Sequence, residues 1–453
     1  MNKKIRDFIF NSFVVIFIIA TTLLSLYASG YKFNLNRPID FNRLLVKTGM
    51  LDIETEPKNA LIYLNGKLQD TPSLELFKNE HLETPAKIRN LIPGEYNISL
   101  EKKGYWPYQK KITIESRKTT ILENINLFKS SNPSLKAITR EKSGQENIIL
   151  SLDNKYIYLK NSQEIINIES GEKRNIEDEL ANLNSNIIKW CEDNMLFIGG
   201  YLFSPENPKN DIDYTNLIGS NAFNWKFDQE LNRVYYQNNN SLNYLDYSKE
   251  QVFTIIKDTN FIDYLPQKNY LFLITQKENN SDYHLSKYSL DENKFIEEIS
   301  LLRNSTYSFD EDNEIYLSLF DKQNKTLYLI NKEDITKGTR KIDHINDWQW
   351  SDNYTLFYIN DWEVNIFNLK NGDKYLINRY SEVLKNIILN KSENYLIINS
   401  LNNIRVIDLN NNYSTKLLEV ETVFSPVLDT NNNYLYFWSK LKEGSGVYRI
   451  EVK

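Results

Sequence analysis

The sequence predicts a mostly β protein with three parts in series: a single N-terminal transmembrane helix, a small β-sandwich, and a β-propeller of eight four-stranded blades, with seven as the alternative. Three observations carry that expectation. An uncharged apolar run ends within residues 1–30, short alternating strands broken by Asn-Gly and Pro-Gly turns fill residues 49–128, and a unit of about forty residues recurs through residues 129–453. Residues 31–48 form the connector between the first two parts.

Composition sets the outer limits. A chain of 453 residues with 41% hydrophobic and 25% charged residues is globular and long enough for roughly two to four domains. Only 14 glycines against 30 tyrosines and 22 phenylalanines, with asparagine throughout, suit strands joined by polar turns. A formal net charge of −6 offers no basic surface to displace counterions, so nucleic acid is not an expected partner. The one cysteine, Cys191, rules out an intrachain disulfide and a multi-cysteine metal site, which leaves packing to stabilise the fold.

Lys3, Lys4 and Arg6 precede an uncharged stretch, Phe8 to Ala28, in which only Asn11, Ser12, Thr21, Thr22 and Ser25 are polar. About 20 helical residues cross a hydrocarbon core of about 30 Å. Cations ahead of the span hold the N terminus in the cytoplasm and place everything after Gly30 outside. Ala28-Ser29-Gly30 also offers small residues for signal-peptide cleavage, but the apolar run exceeds the usual h-region of about 7–15 residues and favours an uncleaved anchor. No cysteine near the span provides a lipid attachment site. Tyr31 to Thr48, with Pro38 near its middle, reads as a short juxtamembrane connector.

In the next part, Leu51 to Glu54 and Ala60 to Leu64 read as strands, and Asn65-Gly66 closes a hairpin because both residues tolerate positive φ. Pro93-Gly94 marks a turn before a strand that puts Tyr96, Ile98 and Leu100 on one face, and Lys111 to Ile114 is the last strand recognised. This segment resembles the PEGA domain, a small extracytoplasmic β module. Pro57-Lys58-Asn59-Ala60 occupies the place of the namesake tetrapeptide, with Asn59 retaining a left-handed backbone in place of glycine. Thr84-Pro85, Pro93-Gly94-Glu95-Tyr96 and Gly104-Tyr105 match the family's later landmarks, while Lys67 to Glu83, with a second Thr71-Pro72, looks like an insertion. The resemblance implies an envelope setting and no reaction.

Beyond Phe128 the repeat is clearest in four segments, which begin at Ile148, Trp348, Ile387 and Pro426, each an apolar strand, an Asp/Asn turn and a second apolar strand. Weaker copies begin at Trp190, Trp225, Tyr264 and Tyr307. The turn markers Asn154, Asn194, Asn232, Asn269, Asn313, Asn353, Asn394 and Asn433 recur at the spacing of propeller blades. The unit is similar to the blades of TolB-type propellers, whose turn is echoed by Ser351-Asp352-Asn353. Residues 446–452 give the final copy only a third strand, so Leu135-Lys136-Ala137-Ile138 is expected to supply the missing outer one. The irregular stretch Gly199 to Asn221, with Pro205 and Pro208, is either a long loop of the second blade or the sign of a seven-bladed ring.

Catalytic signals are absent from the sequence. His81, His284 and His344 are scattered, and no zinc, nucleophile-elbow or phosphate-loop motif occurs. Cys191 follows Trp190 at the end of an apolar strand and reads as a small hydrophobe. Asp429-x-Asn431-x-Asn433 and Asp310-Glu311-Asp312 copy half a calcium loop but lack its glycine and terminal glutamate. Lys102, Lys103, Lys110 and Lys111 read as a solvated face, with an anionic wall polymer as the alternative contact. Tyr105, Trp106 and Tyr108 are the candidate partner-binding aromatics, against the plainer role of covering a small core. The expected function is that of a non-enzymatic, membrane-anchored, extracytoplasmic binding or scaffold protein that recognises an envelope protein or polysaccharide and needs no cofactor. The alternative is a propeller hydrolase or lyase acting on an envelope polymer in its central channel.

Overall fold

The structure, a computed structural model, describes residues 3–33, 44–71, 81–130, 135–140, 144–181, 188–191, 194–219, 221–228, 233–247, 249–257, 261–276, 282–302, 305–310, 313–392, 394–441 and 444–453. They form two compact units, one of Met1–Pro133 with Asp408–Thr415 and Lys453, the other of Ser134–Ile407 with Lys416–Val452.

In the first unit a helix runs over Lys3–Ala28, and its Ile5–Ala28 portion is long and apolar enough to cross a membrane. Its side chains are exposed along their length, Phe8 at 73% and Leu24 at 65%, as a lipid-facing surface requires. The Thr22 hydroxyl donates to the Ile18 carbonyl at 2.8 Å, so a polar residue within the run is satisfied by its own helix. Within the connector Tyr31–Phe33 pairs antiparallel with Leu45–Lys47, while Pro38 lies outside the described residues.

The small sandwich has two sheets. Gly49–Glu56 sits between Ala86–Leu91, antiparallel, and Thr119–Asn126, parallel. Against it lies a sheet ordered Lys67–Leu68, Leu61–Leu64, Gly94–Glu101, Tyr108–Ile114. Leu51, Ile53, Ile62, Ile98, Leu100 and Ile125 fill the space between the sheets. Asn65 and Gly66 take φ of 49° and 76°, so Leu64 opposes Lys67 across a two-residue turn. Asn59 has φ 65°, the left-handed backbone expected of it. Ile98 and Leu100 are buried and Asn97 is exposed, while Tyr96 is half-buried and donates its hydroxyl to the Ile92 carbonyl at 2.8 Å. The strand Thr119–Asn126 was not legible because it does not alternate: Leu122 and Ile125, three apart, are both buried across a shift of register opposite Ile53 and Thr55. Of the inserted stretch, residues 72–80 lie outside the description.

Among the described residues the second unit contains eight four-stranded antiparallel sheets, the blades of a propeller. Their innermost strands are, in order, Ile148–Leu150, Ile188–Trp190, Ala222–Asp228, Phe261–Pro266, Tyr307–Phe309, Asp347–Trp350, Leu384–Asn390 and Thr422–Leu428. Consecutive blades share apolar cores, such as Tyr156 with Trp190 and Phe203, and Phe272 with Leu317. The last blade packs on the first through Tyr436, Trp438, Ile148 and Ile157. Its outer strand is Lys136–Ala137, paired antiparallel with Gly444–Glu451, so the ring closes by the expected exchange of an early segment. The stretch Gly199 to Asn221 belongs to the second blade: Tyr201–Phe203 and Ile212–Asp213 are its outer strands, which settles the count at eight.

The turns explain the composition. Among the described residues asparagine supplies 12 of the 18 non-glycine residues with positive φ, including Asn154, Asn194, Asn394 and Asn432 at the turn between the first and second strands of a blade. At the same turn a carboxylate or amide caps the returning strand. Asp352 accepts from the Tyr354 and Thr355 amides at 2.8 and 3.0 Å, and Asp429 from those of Asn433 and Tyr434 at 2.7 and 2.9 Å. Asparagine does the work of glycine here. The repeat marker Asn232 lies outside the described residues.

Candidate functional site

A departure from the repeat in the second blade builds a cleft. Between the third and fourth strands of the second blade, Ser204 to Asp211 swing out across the outer strands of the first blade, Glu164–Asn167 and Lys173–Asn175. Arg174 pins this loop. Its guanidinium donates Nη1 to Asp211 Oδ1 at 3.1 Å and Nη2 to Asp211 Oδ2, reaches the Ser204 carbonyl, and lies 5.6 Å over the Phe203 ring. Asp211 Oδ1 also accepts from the Ser204 amide at 2.8 Å, so one carboxylate holds both the loop and the arginine.

The space enclosed is about 590 Å³, floored by Tyr156 and Ile165 and walled by Pro205, Glu206 and Pro208. Tyr156 stacks on Trp190 with ring centres 6.2 Å apart, and the Trp190 indole N–H donates to the Ile149 carbonyl at 3.2 Å. Burial, reinforced by the Glu206 carboxylate, pushes the Tyr156 phenol above its ordinary range, so it stays protonated and donates to Glu206 Oε1 at 3.2 Å. Glu172 and Lys173 stand exposed at the rim. The result is a preformed concave surface with an aromatic floor, two rigid prolines and both signs of charge.

Carboxylate and hydroxyl side chains on the innermost strands are engaged in holding the ring. Asp263 accepts from the Phe309 amide of the next blade at 2.9 Å, Asp347 from the Ile387 amide at 2.9 Å, and Ser425 from the Ile148 amide at 3.0 Å. Burial, with the charge of Asp310 adding to it, pushes the Asp347 carboxyl up to about 6. A raised carboxyl favours folding in its protonated form, so this contribution is complete below about pH 4 and declines as pH rises to about 6. Asp347→Asn is expected to remove about 3 kcal/mol of that pH dependence, read as a flatter urea midpoint between about pH 4 and 6. An unchanged slope relative to the native chain would refute the assignment.

The residues singled out from the sequence are dispersed. Tyr108 is fully buried in the sandwich core and its phenol is raised by burial, which removes it from any exposed platform. Tyr105 and Trp106 are half-buried, the Trp106 amide donating to the Phe128 carbonyl at 2.8 Å and Tyr105 bridging to Lys129. His81 faces Asp70 at 3.1 Å, His284 faces Glu298 at 3.2 Å, and His344 is exposed. Cys191 is half-buried and packs in an apolar cluster with Trp225 and Tyr236. Asp429 caps its turn, Asp310 accepts from the Ser308 hydroxyl at 3.0 Å, and Glu311 and Asp312 lie outside the described residues. Lys111 pairs with Glu95 at 2.6 Å and Lys102 donates to the Lys58 carbonyl at 2.6 Å. Among the described residues no three His, Cys, Asp or Glu side chains converge as a metal site would need. The cleft itself went unnoticed in the sequence; its signal was the pair Pro205 and Pro208 in the least regular repeat.

Residues 48–129 match the PEGA domain family. The PEGA domain is therefore the small sandwich, with its strands from Gly49 to Asn126 inside the matched span. Among curated proteins nothing matches the chain. Solved structures similar to it include a eukaryotic initiation factor, at 12% identity over 72% of this chain and 91% of that one, with a TM-score of 0.46. An oligogalacturonate lyase from Vibrio parahaemolyticus is similar at 11% identity over 72% and 96% of the two chains, TM-score 0.41. Hsv2 of Kluyveromyces lactis is similar at 13% identity over 48% and 70%, TM-score 0.35.

Proposed function

We propose that this chain is a membrane-anchored binding protein of the cell envelope, held by the Lys3–Ala28 helix with its PEGA domain and propeller outside the cytoplasm, and that it recognises a protein or polysaccharide in the cleft between the first two blades. The observation that carries this reading is the pinned loop Ser204 to Asp211: in a repeat array an insertion falls on a loop, often at the binding face, and this one is fixed by a bidentate arginine pair around a preformed cavity. The cations Lys3, Lys4 and Arg6 ahead of the span support the orientation.

Two measurements test it. Protease added to intact cells, with any outer layer opened, is expected to digest the propeller and leave a short membrane-held stub; full protection would overturn the location. The immobilised full-length chain is expected to retain one component from separated envelope polysaccharide and protein fractions. Arg174→Ala leaves the Asp211 carboxylate without its counter-ion, lowers stability by about 3 kcal/mol and weakens that retention at least tenfold. Equal retention by both forms would remove the cleft from the reading.

A further inference from the structure

A second surface lies on the sixth and seventh blades. The hairpins between second and third strands and the connections from one blade to the next emerge on the same face of the ring, because four antiparallel strands reverse direction three times. At this face the described hairpin tips of the first, third and fifth blades are polar: Lys160 to Gln163, Asn239-Asn240 and Lys322 to Lys325. The sixth and seventh, which are neighbours, instead display Trp362 and Leu401, and the connection between them displays Val383. These three side chains are 54%, 58% and 44% exposed.

Their backbones are fixed. The Tyr380 amide donates to the Trp362 carbonyl at 2.8 Å and the Leu384 amide to that of Asp361 at 2.9 Å, while the Val423 and Val420 amides donate to Leu401 and Asn402 at 2.6 and 2.9 Å. Glu382, beside Val383, accepts from the Ser400 hydroxyl and the Asn403 amide, both at 2.6 Å, and from Arg405 Nε at 2.9 Å. Apolar side chains held rigidly in water carry little ordering entropy into a contact.

We propose that this patch binds a neutral glycan, with the Trp362 indole stacking on the C–H face of a pyranose ring and Val383 and Leu401 flanking it. Size and charge select that occupant. Three partly exposed side chains present about 300 Å² of apolar surface, well under the roughly 800 Å² per partner that a stable protein interface buries. The surrounding charges cancel: Glu363 pairs with Arg379, Glu382 with Arg405, Glu419 with Lys416 and Asp361 with Lys325, which leaves Lys385 and Glu421 as one of each sign. No excess of cations attracts an anionic polymer or anionic lipid headgroups. Nor can an extended peptide add to these tips as a strand, since the amides facing them already donate to their carbonyls. A flat ring with an apolar face and hydroxyl edges fits the indole, and the N–H₂ of the exposed Asn402 side chain offers a donor for its hydroxyls.

The proposal shares with the cleft reading only the assumption that the propeller is a binding platform. Its test uses the full-length chain in detergent with cellohexaose, laminarihexaose, hexagalacturonate and phosphatidylcholine vesicles as probes, read by titration calorimetry. At least one neutral hexaose is expected to bind with Kd of about 1 mM or tighter. Trp362→Ala is expected to weaken that binding at least tenfold with unchanged melting, Trp362→Phe to weaken it less, and Arg174→Ala to leave it unaltered. The proposal is overturned if neither neutral hexaose binds at about 10 mM, if hexagalacturonate binds in their place, if the vesicles bind in a way that Trp362→Ala abolishes, or if Trp362→Ala binds the hexaose as the native chain does. Loss through Arg174→Ala alone would assign the sugar to the cleft and overturn the patch.

Discussion

Gly446→Ala is expected to open the propeller. Gly446 lies in the third strand of the last blade, and a Cβ there would overlap the Thr139 carbonyl oxygen and crowd the Arg140 Cα, both backbone atoms of the closing segment. No rotamer relieves a clash between two main chains. The closing segment has to withdraw, and with it go the bonds from the Ile138 and Thr139 amides to the Val447 carbonyl, at 2.8 and 3.2 Å, and from the Val447 amide to the Thr139 hydroxyl at 3.1 Å. Overpacking alone costs about 1–3 kcal/mol, and three buried or half-buried hydrogen bonds add about 1 kcal/mol each. The alanine form should lose about 4–6 kcal/mol of stability and become sensitive to trypsin at Lys136 and Arg140. A melting temperature within about a degree of the native value would show that the closing strand is not held as described.

Asp263→Ala should be the most damaging change on the innermost strands. The residue is 7% exposed, and its two oxygens serve the Phe309 amide of the next blade, its own neighbour Tyr264, the Asn224 side chain at 3.3 Å and the Lys226 ammonium at 3.3 Å. Removing it strands a buried N–H and leaves a half-buried lysine without its counter-ion. Breaking one side of such a pair costs about 3–5 kcal/mol. Asp263→Asn keeps one acceptor for Phe309 but turns an N–H₂ toward groups that are already donors, so its loss should fall between alanine and the native chain. Urea midpoints on the three forms decide this. If alanine costs less than about 1 kcal/mol, the carboxylate is not a joint between blades.

Much of this architecture was written in local patterns. Trp190, Trp225, Tyr264 and Tyr307, picked out as the starts of weak repeats, all lie on innermost strands, because that strand is packed on both faces and tolerates large aromatics there. Leu135 to Ile138 was recognisable as the missing strand because the last copy had too few. What escaped was whatever depends on distant partners. Thr119–Asn126 lost its alternation to a bulge, and nothing in the order of residues says that Arg174 of one blade reaches Asp211 of the next. The aromatic cluster misled for a related reason: Tyr105, Trp106 and Tyr108 are close in sequence, yet a strand begins at Tyr108 and turns that side chain into the core. Trp362 and Leu401 stand 39 positions apart and reach the same face of adjacent blades only through ring geometry.

The closing strand also dictates an order of events during synthesis. Each of the first seven blades draws all four strands from one continuous stretch and can form as that stretch emerges. The eighth cannot. The Val447 amide meets Thr139 across 308 residues, so Lys136–Ala137 must wait, unpaired, for nearly the whole ring to be made. At a synthesis rate of about 5–20 residues per second that delay is some tens of seconds, during which the apolar face of the first blade that the last will cover, with Ile148 and Ile157, lacks its partner. A chain exported through a membrane would therefore complete its propeller only after the last blade had crossed, and any chaperone acting on it has its task set by that interval.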